Sequence, residues 1–214
     1  MKNVIALVDC DSFFVACEQV LAPELLGKPV CVLSNNNGCI VSRSKEAKNV
    51  GVRMGMPFFM AKKEFPDVTY ITGNLDRYRE FSNKVMNKLK KYSPIVEIYS
   101  IDEAFIDLTG TERLYQKSYE EIIKMIKKEI YEELKIPVSI GLSTSKTLAK
   151  LASDKAKTTG GIFVISPDKI SSILEQTSLE EIWGIGKNMS LKLKKKGIFS
   201  PIELTKKDDA LLKS

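Results

Sequence analysis

The first apolar run of this chain ends on acid. Residues 4–8 read VIALV, short and rich in β-branching, and residues 9–11 read Asp-Cys-Asp. A run of that length and texture is a buried strand. An aspartate at the end of a buried strand is costly unless it is paired or metal-bound. Asp11 has two open readings, as part of an acidic site with Asp9 or as the cap of a following helix. Any fold must therefore place one strand in a core and bring something cationic to its end.

The rest of the chain supplies material for such a core. It has 214 residues, 43% of them hydrophobic, enough for one large domain or two small ones. Residues 9–20 have helical spacing, closed by Pro23 and the Gly27-Lys28-Pro29 turn. Residues 30–33 and 39–42 flank Ser-Asn-Asn-Asn-Gly, which predicts a hairpin. Residues 44–50 and 58–64 read as short helices of a small basic insert. Residues 74–92 and 119–134 carry the apolar spacing of long amphipathic helices, and residues 146–157 a third helix. Strands are expected at 96–101, 104–108, 138–143 and 162–165. This alternation predicts an α/β (α+β) sandwich, one sheet with helices on one face. From about residue 167 the texture changes to short helices around Trp183-Gly184-Ile185-Gly186, the second of them lysine-rich.

Histidine is absent, which excludes Ser-His-Asp and Cys-His catalysis and imidazole-bound zinc or haem. Cys10, Cys17, Cys31 and Cys39 show no C-x-x-C spacing and read as small buried thiols of a reducing compartment. No stretch approaches a membrane span, so the chain reads as soluble and cytoplasmic, with no membrane partner. Catalysis is left to carboxylates, lysines, hydroxyls or a metal on oxygen.

Charge is segregated. Residues 187–214 hold eight lysines and three acids, most of the chain's net +6. Residues 43–63 hold six bases and one acid, whereas residues 97–112 hold five acids and no base. Basic surfaces beside an acidic strip suit a polyanion and a cation, although an acidic run is also what a solvated face looks like. Asp102 and Glu103 fall between two expected strands. Neighbouring strand residues point to opposite faces, so both reach one site only from a turn or bulge, and the turn is predicted. Carboxylates at strand ends suit Mg²⁺, and a two-metal site needs a carboxylate bridging ions about 3.5–4 Å apart. A solvated turn is the competing reading of the Asp-Glu pair.

Several strings together resemble Y-family, lesion-bypass DNA polymerases. These are DCDSFF at 9–14, SIDEAF at 100–105, KTLAK at 146–150 and Ala156-Lys157. VLSNNNGCIVSR at 32–43 and EIYSIDEAFIDLTG at 97–110 are similar to the UmuC type. The resemblance implies a palm formed by residues 1–22 and 74–166, with a mixed, largely antiparallel sheet backed by helices. It implies fingers at 23–73 and a helical thumb at 167–214, cut short, with a further DNA-gripping domain expected beyond it.

By this resemblance Asp9, Asp102 and Glu103, with the Cys10 main-chain carbonyl, bind two Mg²⁺ ions for nucleotidyl transfer from a dNTP to a primer 3′-OH. Lys157 becomes a triphosphate ligand, although a lysine at a helix C-terminus also suits the helix dipole. Arg43, Lys45 and Lys48 become fingers contacts to the nucleotide, with lysines where many members carry a Tyr and an Arg. Phe14 matches a steric gate against ribonucleotides, where spacing alone makes it a core aromatic. Val41 and Ser42 would lie over the nascent base pair. Gly184, Gly186, Lys187 and Lys192 belong to a helix–hairpin–helix that holds DNA phosphates, against the simpler reading of a solvated lysine-rich helix. The implied partners are primer–template DNA and dNTP. A sliding clamp, a recombinase and UmuD-like accessory subunits would bind through parts outside this chain. Two other readings compete: a catalytically incompetent DNA-binding fragment or accessory protein that keeps the fold, and a nucleotidyl cyclase, against which the helix–hairpin–helix speaks.

Overall fold

In the computed structural model, which describes residues 3–206, the first strand β1 (Ile5–Cys10) is buried almost throughout and leads into α1 (Phe13–Leu21). The chain turns between them on Ser12, whose φ of 48° is left-handed. Then come β2 (Val30–Leu33), β3 (Ile40–Arg43), α2 (Lys45–Asn49), α3 (Phe58–Glu64) and β4 (Thr69–Thr72). The next stretch holds α4 (Leu75–Leu89), β5 (Val96–Ile98), β6 (Glu103–Asp107), α5 (Thr111–Tyr115) and α6 (Tyr119–Leu134). It continues through β7 (Val138–Ser143), α7 (Lys146–Ala156) and β8 (Ile162–Val164), and ends with α8 (Ile170–Glu175), α9 (Lys187–Lys195) and α10 (Pro201–Leu204).

Two sheets form. The larger has the order β5-β6-β1-β7-β8, with β1 central and antiparallel to both neighbours, and β7 and β8 parallel. The smaller has the order β3-β2-β4. The expected hairpin is β2–β3, and β4 adds a parallel strand that the sequence pattern did not suggest. Residues 69–72 are exposed or half-buried throughout, so they carry no apolar run to read.

The expectation of helices on one face is corrected. Ala6, Val8 and Cys10 face the main core, with Tyr78, Val85 and Leu89 of α4 and Ile123, Ile126 and Ile130 of α6. Leu7 faces the other way, onto Phe105 and Ala149 of α7. Alternation along a strand with apolar residues on both faces requires a cover on each side. α7 can lie close because residue 141 is glycine: a Cβ there would stand 2.0 Å from Ser153 N and 2.3 Å from Ala149 O.

Capping follows the sequence. Asn74 accepts from Arg77 N–H, Ser145 accepts from Leu148 N–H, and Ser118 forms a reciprocal box with Glu121. Lys88 pairs with Glu129 and Glu133, clamping α4 to α6. The cysteines are free thiols; Cys10, Cys17 and Cys31 are buried, whereas Cys39 is only half-buried. No helix among the described residues is long and apolar enough to cross a membrane. The expected pair of short helices around Trp183 is a longer set, with α8 and a 3₁₀ turn at Leu179–Glu181 before it, and α9 after it.

Candidate active site

Register decides which carboxylates meet. Asp9, at the end of β1, lies opposite Glu103 on β6 and Ser139 on β7. Opposed residues of an antiparallel pair project to the same face. That face is the one α7 covers, so α7 supplies the counter-charges. Lys157, capping its C-terminus, donates to Asp9 Oδ2 at 2.7 Å. Lys150 donates to Glu103 Oε1 and stands 3.5 Å from Asp9 Oδ2. Both lysines also approach Asp154, at 3.8 Å and 3.5 Å. Residues 150, 154 and 157 recur at i, i+4 and i+7, one helical face turned to the strand ends.

Asp9 is 4% exposed. Burial pushes its carboxyl up to about 6; a hydrogen bond with Glu103 adds to this, and Lys157 opposes it. Burial lowers both ammonium groups, but the surrounding carboxylates outweigh it and leave each raised: Glu103, Asp154 and Asp9 at Lys150, and chiefly Asp9 at Lys157.

Asp102 sits in the turn before β6, as expected, while Glu103 is that strand's first residue. The Asp102 main-chain carbonyl accepts from Cys10 N–H at 2.9 Å, tying the turn to β1. Its carboxylate accepts from Ser100 Oγ at 2.6 Å. The Cys10 side chain is buried in the main core, on the opposite face of β1 from Asp9. Among the described residues no three carboxylate or thiol groups stand as a ready cation cage. Asp9 and Glu103 are together but already neutralised by lysines, and Asp102 is turned onto Ser100. The donor chemistry still fits a hard divalent cation, since every side chain offered is a carboxylate and the buried one demands positive charge.

Asp11 is no helix cap. Its Oδ1 accepts from Ser139 Oγ at 2.8 Å, and the N-cap position of α1 is Ser12, which makes no side-chain cap bond. Burial raises its pKa as well.

Phe14 and Val41 meet across a cavity of about 280 Å³, also walled by Leu33, Gly73 and Tyr78. The register of β2 and β3 slips at Val41: Leu33 pairs with Ile40 but Val32 with Ser42. This one-residue bulge turns both Val41 and Ser42 toward α1. Ser42 is 6% exposed and its Oγ accepts from Val15 N–H at 3.4 Å, so its hydroxyl supports the start of α1. The Arg43 guanidinium donates to the Val52 carbonyl, stitching β3 to the segment after α2. Lys45 and Lys48 are exposed on α2, and neither makes a side-chain hydrogen bond or ion pair among the described residues.

Gly184 has φ +91°, and Gly186 caps α9. A Cβ at either would meet no atom of the described residues within 4 Å. Lys187 and Lys192 are exposed, while Ser190 and Leu193 hold the helix to the fold. A cleft of about 410 Å³ runs from Lys150 and Asp154 to Trp183, Gly184 and Gly186, joining the acidic end of the sheet to this hairpin. Trp183 stands edge-on to Tyr99, centroids 5.2 Å apart, and donates to its hydroxyl at 3.3 Å.

The sequence profile of the impB/mucB/samB family matches residues 8–154. The chain belongs to the impB/mucB/samB family. The resemblance to Y-family polymerases of the UmuC type is thereby borne out. It is 37% identical over 215 residues to protein UmuC of Salmonella typhimurium, covering 97% of this chain and 50% of that one. It is 38% identical over 200 residues to DNA polymerase IV of Saccharolobus solfataricus, covering 91% and 56%. The insertion ternary complex of Dbh DNA polymerase superposes with a TM-score of 0.85 at 33% identity, covering 96% of this chain and 61% of the other. The chain thus spans about half the length of the curated impB/mucB/samB relatives it matches.

Lys150, Asp154 and Tyr78 were not singled out as site residues by motif reasoning. The i, i+4, i+7 spacing of 150, 154 and 157 on a helix was the signal for the first two.

Proposed function

We propose that this chain is the catalytic portion of a template-directed, lesion-bypass DNA polymerase of the cytoplasm, acting in the response to DNA damage. The observation that carries the reading is the pairing of Asp9 directly across from Glu103, with Asp102 adjoining, at one end of the sheet.

Two Mg²⁺ ions, held by Asp9, Asp102, Glu103 and the Cys10 carbonyl, would supply activation of the primer 3′-OH and neutralise charge on the triphosphate. The chain's own groups do the positioning. Lys157 is 40% exposed at its side chain, so it can turn from Asp9 toward a triphosphate without unpacking α7. Lys45 and Lys48 supply further positive charge from α2, and Arg43 stiffens the strand before them. Phe14 forms a wall where the sugar of a nucleotide seated against Val41 would come, and its ring blocks a 2′-hydroxyl. The Gly184–Gly186 hairpin presents main-chain N–H groups at the start of α9, with Lys187 and Lys192 beside them, to the phosphates of a duplex. In this reading residues 1–22 and 74–166 are the palm, 23–73 the fingers and 167–214 part of a thumb. That the Dbh neighbour is an insertion ternary complex of a DNA polymerase supports primer–template DNA and dNTP as partners here. Any clamp or accessory subunit would bind elsewhere in the full-length protein.

The test is primer extension past an abasic site with Mg²⁺ and four dNTPs, using the chain in its full-length context. Asp102→Ala should lose extension and keep DNA binding, because positioned charge rather than duplex grip is removed. Undiminished extension by that variant would overturn the reading.

A further inference from the structure

Lys150 has no part in the mechanism above, yet it is the cation most deeply set among the carboxylates. Its side chain is 18% exposed against 40% for Lys157. Its ammonium bonds Glu103 Oε1, stands 3.5 Å from Asp9 Oδ2 and reaches toward Asp154 Oδ1 at 3.8 Å. Asp9 and Glu103 face each other with side chains only 6% and 13% exposed, so a cation must lie between them or one must take a proton. Lys150 is that cation.

A divalent ion binding the same oxygens would meet the ammonium within a few ångströms. The two cannot both hold those oxygens, since like charges at that range repel in a half-buried site. Asp154 offers the exit. It lies one turn further along α7, 47% exposed at its side chain, within reach of Lys150 by rotation of the side chain alone. The helix itself cannot make room, because Gly141 holds it in backbone contact with the sheet.

We propose that Lys150 is a resident counter-ion of the Asp9–Glu103 pair, displaced toward Asp154 when a divalent cation arrives, and that it sets the cation concentration at which the site loads. The idea rests on the reading of Asp9, Asp102 and Glu103 as metal ligands. It makes Lys150 a positioning residue whose effect is on loading and not on the bond-forming step.

Mn²⁺ binding, followed by the loss of the free-ion paramagnetic resonance signal without DNA or nucleotide, is the experiment. Lys150→Met should tighten Mn²⁺ about tenfold, the gain from deleting one nearby positive charge. Lys150→Arg, which keeps the charge, should stay near wild type. Asp9→Asn should lose the site. If Asp9→Asn binds Mn²⁺ as wild type does, the metal-site reading fails. If Asp9→Asn loses binding while Lys150→Met binds no tighter than wild type, the counter-ion inference alone fails. A second readout needs no variant: acetic anhydride labelling of Lys150, resolved by mass, should rise severalfold when Mg²⁺ is added to the wild-type chain. A labelling rate indifferent to Mg²⁺ overturns the displacement.

Discussion

Phe14 lies nearly flat on Tyr78, ring centroids 4.6 Å apart and planes 18° from parallel. The Tyr78 hydroxyl donates to Glu18 at 2.7 Å, one turn further along α1. Tyr78 is fully buried and Phe14 only half so, which leaves one face of the Phe14 ring on the cavity shared with Val41. A side chain held this way is a rigid wall.

Phe14→Ala should therefore relax sugar discrimination, raising the ratio of ribonucleotide to deoxynucleotide incorporation about tenfold to a hundredfold, as expected when a steric block is removed. Single-nucleotide extension with matched ribo and deoxy substrates measures it. An unchanged ratio would leave Phe14 as packing alone.

Gly141→Ala places a methyl carbon where Ser153 N and Ala149 O already are. Backbone atoms cannot swing aside as a flexible side chain can, so α7 must lift from the sheet. A loss of about 3 kcal/mol or more is expected, read as a fall in thermal midpoint. The Asp9–Lys157 contact should weaken with it.

Glu180 accepts from Ser190 Oγ at 2.6 Å and Lys194 Nζ at 3.0 Å, tying the turn before Trp183 to α9. Ser190 first, then Lys194, bring its pKa from 4.5 down to about 2. A carboxyl depressed on folding contributes stability above its ordinary pKa and loses it as pH falls toward the folded value. The contribution of this tie should fade between about pH 4.5 and pH 2. Thermal melts across that window should show a shallower acid decline for Glu180→Gln, and identical acid limbs would count against the tie.

Lys187 and Lys192 are both exposed on α9. If they meet DNA phosphates, Lys187→Gln with Lys192→Gln should lower the slope of log K against log salt by about two, one per contact, without changing sequence preference. Fluorescence anisotropy over a salt series reads the slope. An unaltered slope returns α9 to a solvated surface.

Much of the fold could be read from local pattern. β7 matches its expected bounds because residues 138–143 are a continuous buried run, and α6 starts at Ser118 because Ser and Glu three apart form a box. The error over helix faces has a physical source. Strand β1 is apolar on both faces over Ile5–Val8, which by itself calls for cover on both sides, yet long amphipathic helices drew attention to one. β4 and the short α5 were missed because four or five half-exposed residues carry no period. At the site, Asp9, Asp102, Glu103 and Lys157 were visible as motif residues. That Asp9 faces Glu103 was not, since register is a tertiary property. The bulge at Val41 was likewise hidden, and with it the reason that two successive residues turn to the same side.

The bond from Lys157 to Asp9 joins positions 148 apart in the chain. β1 is made before both of its neighbours and finds them only when residues 103–107 and 138–143 have been translated. Until then its apolar edges are open, and closing such long loops is slow. The acidic end of the sheet thus cannot exist in a half-made chain. A ribosome stalled before residue 138 would hold a nascent protein with an open strand edge on β1 and a site still lacking both of its lysines.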